Sequence, residues 1–171
     1  MKLERATAND LNVTMSIIRD AQALLASQNV DQWQNGYPTK QIILDDIKNK
    51  ESYIIKSEQS EPLATTMFSI RGEPTYTKIL GQWKTNSSTK YGVIHRMAVA
   101  KNHRRKGLAK FIFSSCEKWL IQQQIPSMRI DTHKDNFAMQ QLLRILDYSY
   151  CGIIHLPSGD QRLAFEKKLF S

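Results

Sequence analysis

The stretch from Tyr91 to Leu120 constrains the fold more than any other part of the chain. It opens with YGVIHRMAV, a run of apolar and β-branched residues that reads as a buried strand. It then passes through AKNHRRKG into a segment whose apolar residues Leu108, Phe111, Ile112, Cys116, Trp119 and Leu120 share one helical face. A strand that runs straight into an amphipathic helix needs a sheet on one side and a helix layer on the other, so this junction predicts an α/β protein.

The flanking patterns agree. A short strand is expected over residues 2–6, followed by a helix capped by Asn9 or Asp10 that carries Leu11, Met15, Ile18, Ala21 and Leu25 on one face. A second helix follows Pro38-Thr39, with Ile43, Leu44 and Ile47 as its apolar residues, and fades near Asn49. DQWQNGYP, residues 31–38, is the loop between them. SYIIKS, the polar turn Glu58–Pro62 and LATTMFSI read as a hairpin. Residues 71–90 are turn-rich, with a strand around Tyr76–Leu80. Beyond Pro126, MRIDTH is a strand, Asp135 an N-cap, and Met139, Leu142, Leu143 and Leu146 one face of a fourth helix. Strands around Tyr148–Ile154 and Arg162–Lys168 close the chain. With 171 residues, no repeat and no linker, the order β-α-α-β-β-β-α-β-α-β-β describes one domain over residues 1–171.

Charge is distributed unevenly. The formal net charge is +8. Residues 1–89 carry ten basic and ten acidic side chains, whereas residues 90–171 carry fourteen and six, so the excess belongs to the C-terminal half. Between Lys101 and Lys110 stand Lys101, Arg104, Arg105, Lys106 and Lys110 with no acid among them. An anionic partner is therefore worth seeking, whether nucleic acid, acidic membrane or a phosphorylated cofactor. Against nucleic acid, no helix-turn-helix, aromatic RNA-reading motif or zinc spacing occurs. Against membrane, no run of about 18 apolar residues occurs, and MKLERATAND has no signal-like apolar region. Cys116 and Cys151 sit in neither a disulfide framework nor a metal-ligand pattern and read as buried thiols, so no metal and a cytoplasmic location are expected.

The position of the basic run gives it chemical meaning. Arg104, Arg105 and Lys106 stand at the start of a helix, where unpaired backbone N–H groups and the helix dipole already make the site positive. Either these side chains are solvated and point away, or an anion joins them. A phosphate suits the place, because Gly107 lets the main chain approach it and Ala109 leaves room.

The order of residue types resembles a known family. IHRMAV, then AKNH, then Arg104-Arg105-Lys106-Gly107-Leu108-Ala109 is similar to the acetyl-CoA-binding signature of the GNAT N-acetyltransferases: Arg or Gln, two residues, Gly, any residue, then Gly or Ala. RATAND at the N-terminus, Asn136 at the head of the fourth helix and Asp147-Tyr148 in the place of the family's Gly-Phe pair extend the resemblance along the chain. It implies a single domain with a central mixed, mostly antiparallel sheet flanked by about four helices. It implies acetyl-CoA as cosubstrate, with no metal, and an amine acceptor, a small molecule or peptide. The pyrophosphate would be held by main-chain N–H groups of Arg105, Lys106, Gly107, Leu108, Ala109 and Lys110 in the turn opened by Arg104. Backbone groups of Met97, Ala98 and Val99 would pair with the pantetheine arm, and Asn136 belongs to the same cofactor site. Trp33 and Tyr37 either line the acceptor pocket, as that loop does in the family, or cap the core. The tyrosine that many members carry seven residues after the Asn is Leu143 here, so the thiolate's proton donor has no assignment.

An ammonium group, with its ordinary pKa near ~10.4, must lose a proton before it attacks a thioester. His95 is the candidate base on the site strand, because imidazole ordinarily titrates near neutrality and strict alternation places it on the face of Met97. The other reading is a histidine packed between strand and helix. Arg96 points to the opposite face and reads as structural, Glu73 as a surface carboxylate or an aid to a cationic acceptor. Three functions stay open: an N-acetyltransferase, a non-catalytic CoA-binding member of the fold, and a small basic nucleic-acid-binding protein. A homodimer is compatible with the sequence.

Overall fold

The computed structural model describes residues 1–170. The fold is mixed α/β, with eight strands and four α-helices in the order β1 (Lys2–Arg5), α1 (Leu11–Ser27), α2 (Lys40–Lys48), β2 (Ser52–Lys56), β3 (Pro62–Ser69), β4 (Ile79–Gly81), β5 (Tyr91–Val99), α3 (Leu108–Gln122), β6 (Ser127–Thr132), α4 (Phe137–Ile145), β7 (Ser149–His155) and β8 (Gln161–Lys168). The chain forms two compact units. One comprises Met1–Phe68 and Ile94–Ser115, the other Ser69–Val93 and the chain from Cys116 onward, so the boundary falls inside β5 and inside α3.

In the first unit the strand order is β1-β2-β3-β5. β1 and β2 pair antiparallel from Lys2↔Lys56 to Arg5↔Tyr53, and β3 continues the hairpin. Leu11, Ile17 and Ile18 of α1, Ile43 of α2 and Ala98 of β5 form one buried cluster, in which helical spacing anticipates Leu11, Ile18 and Ile43 but not Ile17. Thr39 caps α2 as its position suggested, accepting the Ile42 N–H at 3.3 Å. At α1 the expected cap behaves differently. The Asp10 carboxylate turns back to accept the Thr7 N–H and hydroxyl, both at 2.8 Å, and meets Lys56 at 2.9 Å.

In the second unit the order is β5-β6-β8-β7-β4. β5 and β6 pair in parallel from Tyr91↔Ser127 to Val93↔Arg129, a geometry that requires a crossover, and the other pairs of this unit are antiparallel. Gly81 lies opposite Gly152 where β4 meets β7, and a Cβ on either would stand 2.2 Å from a carbonyl oxygen of the facing strand. Two expectations are corrected here. The strand placed at Tyr76–Leu80 is a 3-10 turn over Pro74–Thr77 and a short strand over Ile79–Gly81. Pro74 starts the turn and the Glu73 carboxylate caps it, accepting the Thr75 N–H at 3.1 Å and its hydroxyl at 2.9 Å, so Tyr76 enters the core from a turn. The cap of α4 is Asn136, whose side chain accepts the Met139 N–H at 3.1 Å, and not Asp135, which pairs with Lys134. At the other end Asp147 takes the left-handed conformation, φ 64°, with Tyr148 N–H returning to the Leu143 carbonyl at 2.9 Å. That is the helix-stop geometry a glycine usually supplies.

Candidate functional site

In the first unit the end of β5 is fixed on several sides. Ala100 N–H donates to the Leu63 carbonyl at 2.9 Å, and a single 3-10 turn, Lys101–His103, follows. His103 Nε2 lies 2.9 Å from Glu61 Oε1. Arg104 reaches across to α1, donating from Nη2 to the Asp20 carbonyl at 2.7 Å. Arg104 is thus an anchor of the turn, while Arg105, Lys106 and Lys110 are exposed.

The turn itself has an unusual backbone. Arg105 has φ 61° and Gly107 φ 80°, two left-handed residues with one between them, immediately ahead of α3. The first N–H groups of α3 follow directly, and donors left unpaired at a helix start favour an anion. A Cβ built on Gly107 meets nothing within 4 Å, so packing does not dictate glycine there. The positive φ does. Leu108 and Ala98 are buried, so their side chains belong to the core and only their backbone faces this chemistry.

Further back on β5 alternation is broken. Arg96 has φ 51° within the strand, and His95, Arg96 and Met97 are all half-buried, so the simple alternation that paired His95 with Met97 does not run through this point. Arg96 grips Asp46 of α2 with two bonds, Nε to Oδ2 at 2.7 Å and Nη2 to Oδ1 at 2.8 Å. Its Nη1 donates to the Tyr37 hydroxyl at 2.6 Å. Burial raises the Asp46 carboxyl, Arg96 pulls against it, and Glu51 pushes it up again; His95 stands close enough to act in Arg96's direction. Trp33, φ 66°, packs against the Leu11–Ile43 cluster, which is the core-capping reading of that residue. Tyr37 instead belongs to the polar network. The signal missed in the sequence is Asp46, three positions after buried Ile43 and therefore on the apolar face of a nine-residue helix, where a carboxylate demands a partner.

In the second unit Asn136 is committed to capping α4 and Leu143 is fully buried. The Tyr148 hydroxyl donates to Glu117 at 2.8 Å, and burial with that neighbour drives its phenol well above its ordinary value. Burial likewise pushes up the thiols of Cys116 and Cys151, which are not activated nucleophiles. Among the described residues no group of His, Cys, Asp and Glu could hold a metal ion, and no helix is long and apolar enough to cross a membrane. Sequence reasoning also missed a buried polar cluster. Glu166 accepts from Ser127, Arg129, Thr85 and the Lys84 N–H, and the Arg129 guanidinium lies 4.4 Å from the Trp83 ring centre and 4.1 Å from that of Tyr91.

Comparison with known proteins gives a consistent result. Residues 18–148 match the Acetyltransferase (GNAT) family model. A crystal structure of a GNAT-family acetyltransferase from Streptococcus agalactiae is 30% identical, superposes with a TM-score of 0.86, and the match covers 98% of this chain and 94% of that one. One from Listeria monocytogenes is 17% identical with a TM-score of 0.76, covering 98% and 94%. A phosphinothricin acetyltransferase from Sinorhizobium meliloti, solved in complex with AcCoA, shares the fold at 13% identity, a TM-score of 0.68 and coverage of 98% and 87%. No curated protein matches.

Proposed function

The chain belongs to the acetyltransferase (GNAT) family, and from that premise we propose that it transfers the acetyl group of acetyl-CoA to a primary amine of a small molecule or peptide by direct attack. The observation that carries this reading is the turn Arg104–Gly107. Its two left-handed residues, open space before Gly107 and exposed cations suit a pyrophosphate group.

Acetyl-CoA supplies the acyl group already activated as a thioester. In this reading the main-chain N–H groups from Arg105 to Lys110 hold its phosphates, with Lys106 and Arg105 balancing charge, and backbone groups of Met97, Ala98 and Val99 hold the arm that leads to the thioester. Backbone N–H donors there would also stabilise negative charge developing on the carbonyl oxygen. His95 takes the proton that the acceptor's ammonium must shed. Tyr37 faces the acceptor side. In this reading the chain is a single N-acetyltransferase domain in a cytoplasmic protein. Leu143 in the place of the family's tyrosine, with Tyr148 bonded to Glu117, favours a second reading in which the chain binds acetyl-CoA without catalysis.

Titration calorimetry with acetyl-CoA tests the first step. The wild-type protein should bind, and Gly107→Glu, which forces a side chain into a left-handed position and a carboxylate toward the phosphates, should lose at least about 100-fold in affinity. Equal binding by the variant defeats the assignment. Thiol release from acetyl-CoA across a panel of amines then separates catalysis from binding alone.

A further inference from the structure

Arg96 is more than a core ion pair. A non-glycine residue in a strand with φ 51° holds a costly conformation, and such strain persists where the surroundings over-determine it. Here it is over-determined by Asp46, whose two oxygens take Nε and Nη2 in a fork that leaves the guanidinium no rotational freedom. Both side chains are nearly buried, at 11% and 9% exposure, so the pair is a fixed platform and not a surface contact.

What the platform holds is Tyr37. Gln22 of α1 donates to the Tyr37 carbonyl at 2.9 Å and to the Trp33 carbonyl at 3.4 Å, which ties down the backbone of the loop. Arg96 Nη1 holds the other end, the phenol oxygen, at 2.6 Å. A tyrosine hydroxyl has one proton and two lone pairs. Arg96 occupies a lone pair, so the proton must point elsewhere, and among the described residues no acceptor bonds to it. Tyr37 is half-exposed, so that proton is offered outward, and a hydroxyl that accepts from a cation is a stronger donor in turn.

We propose that Arg96 is a positioning residue which, locked by Asp46, presents the Tyr37 hydroxyl as a hydrogen-bond donor to an acceptor substrate carrying a carbonyl, carboxylate or hydroxyl oxygen close to its amine. This rests on the acetyl-transfer reading and narrows its substrate class. A plain alkyl amine cannot use the donor. An amino-acid or peptide-like amine can.

The test uses the full chain with acetyl-CoA and two matched amines, glycinamide and propylamine. The wild-type protein should show a lower KM for glycinamide, and Tyr37→Phe should shrink that preference about tenfold, the worth of one well-placed hydrogen bond. Arg96→Lys should shrink it similarly, and the double variant Tyr37→Phe/Arg96→Lys should shrink it no further, because Arg96 acts through Tyr37. A wild-type protein without the preference, a Tyr37→Phe variant that retains it, or additive losses in the double variant overturns the inference. Turnover of neither amine by a protein that binds acetyl-CoA overturns it as well. Failure of the acetyl-transfer reading looks different: the wild-type protein neither binds acetyl-CoA by calorimetry nor releases its thiol. If Arg96→Lys does not fold, the glycinamide preference of Tyr37→Phe alone decides the donor role.

Discussion

Single residues carry conformations here that their neighbours make compulsory. Gly152 has φ 144° and faces Gly81 so closely that an added Cβ would stand 2.2 Å from the Leu80 carbonyl oxygen, and the atoms it would meet are backbone, with nothing flexible to yield. Gly159 has φ 90° with no atom within 4 Å of its would-be Cβ. The two substitutions therefore separate strain from collision. Gly159→Ala should cost about 1 kcal/mol, the penalty of a left-handed alanine. Gly152→Ala should cost roughly 3 kcal/mol or more, because β4 must move away from β7, and should lower Tm by roughly 6–12 °C in a chain of this size. Thermal unfolding of the pair checks this, and equal losses would show that β4 gives way freely. The sequence places Gly152 within a strand and Gly159 between strands, but it does not show the collision, because the strand facing Gly152 is about 70 positions away. Arg96 illustrates the same limit. Its type and place in β5 were legible, but the left-handed φ and the grip on Asp46, 50 residues away, arise only when α2 is laid against the strand.

At the scale of elements, periodicity located nearly everything with an unbroken apolar pattern. β5, α3 and α1 start and stop within a few residues of expectation, because each buries one regular face. The miss at Tyr76 has a physical cause: a buried aromatic in a short segment looks like strand, and only Glu73 capping the turn behind Pro74 makes it 3-10. The candidate cofactor turn was legible for the opposite reason, since a strand end, a glycine and a helix start are contiguous in the chain. The polar cluster around Glu166 was not legible, as its members come from residues 84–85, β6 and β8. This cluster pins the segment before β5. Glu166 is fully buried and pairs with Arg129 at 3.1 Å, so Glu166→Gln leaves a buried guanidinium without its counter-charge. Urea unfolding should show a loss of about 3–5 kcal/mol for that variant, and a smaller loss for Arg129→Met/Glu166→Leu, in which both charges are replaced by apolar groups. A double variant worse than the single one would mean that the rings of Trp83 and Tyr91 depend on the cation more than Glu166 does.

For the molecule as a whole, the ionisable groups that folding perturbs determine how stability follows pH. Burial works to raise the carboxyls of Asp10 and Glu166, but Lys56 and Thr7 outweigh it at Asp10, as do Ser127, Thr85 and Arg129 at Glu166, so both lie below their ordinary values of 3.8 and 4.5. The unfolded chain then takes up these protons first on acidification. Their stabilisation is complete above the ordinary values and disappears as pH falls through the lowered ones. Asp46 has the reverse sign: burial holds its carboxyl above 3.8, the folded chain protonates first, and acid partly offsets the loss. Lys56, raised by its hydrogen bond to Asp10, contributes in full below 10.5 and loses that contribution as pH rises past it. The urea midpoint of the wild-type protein should therefore be flat near neutrality and fall as pH drops below 4.5. Asp10→Asn should start lower at pH 7 yet fall less over the acid range, and it should also flatten the alkaline limb, because the same substitution removes the partner that raises Lys56. Midpoints that run parallel to the wild type at both ends would show that Asp10 and Lys56 do not titrate as a pair.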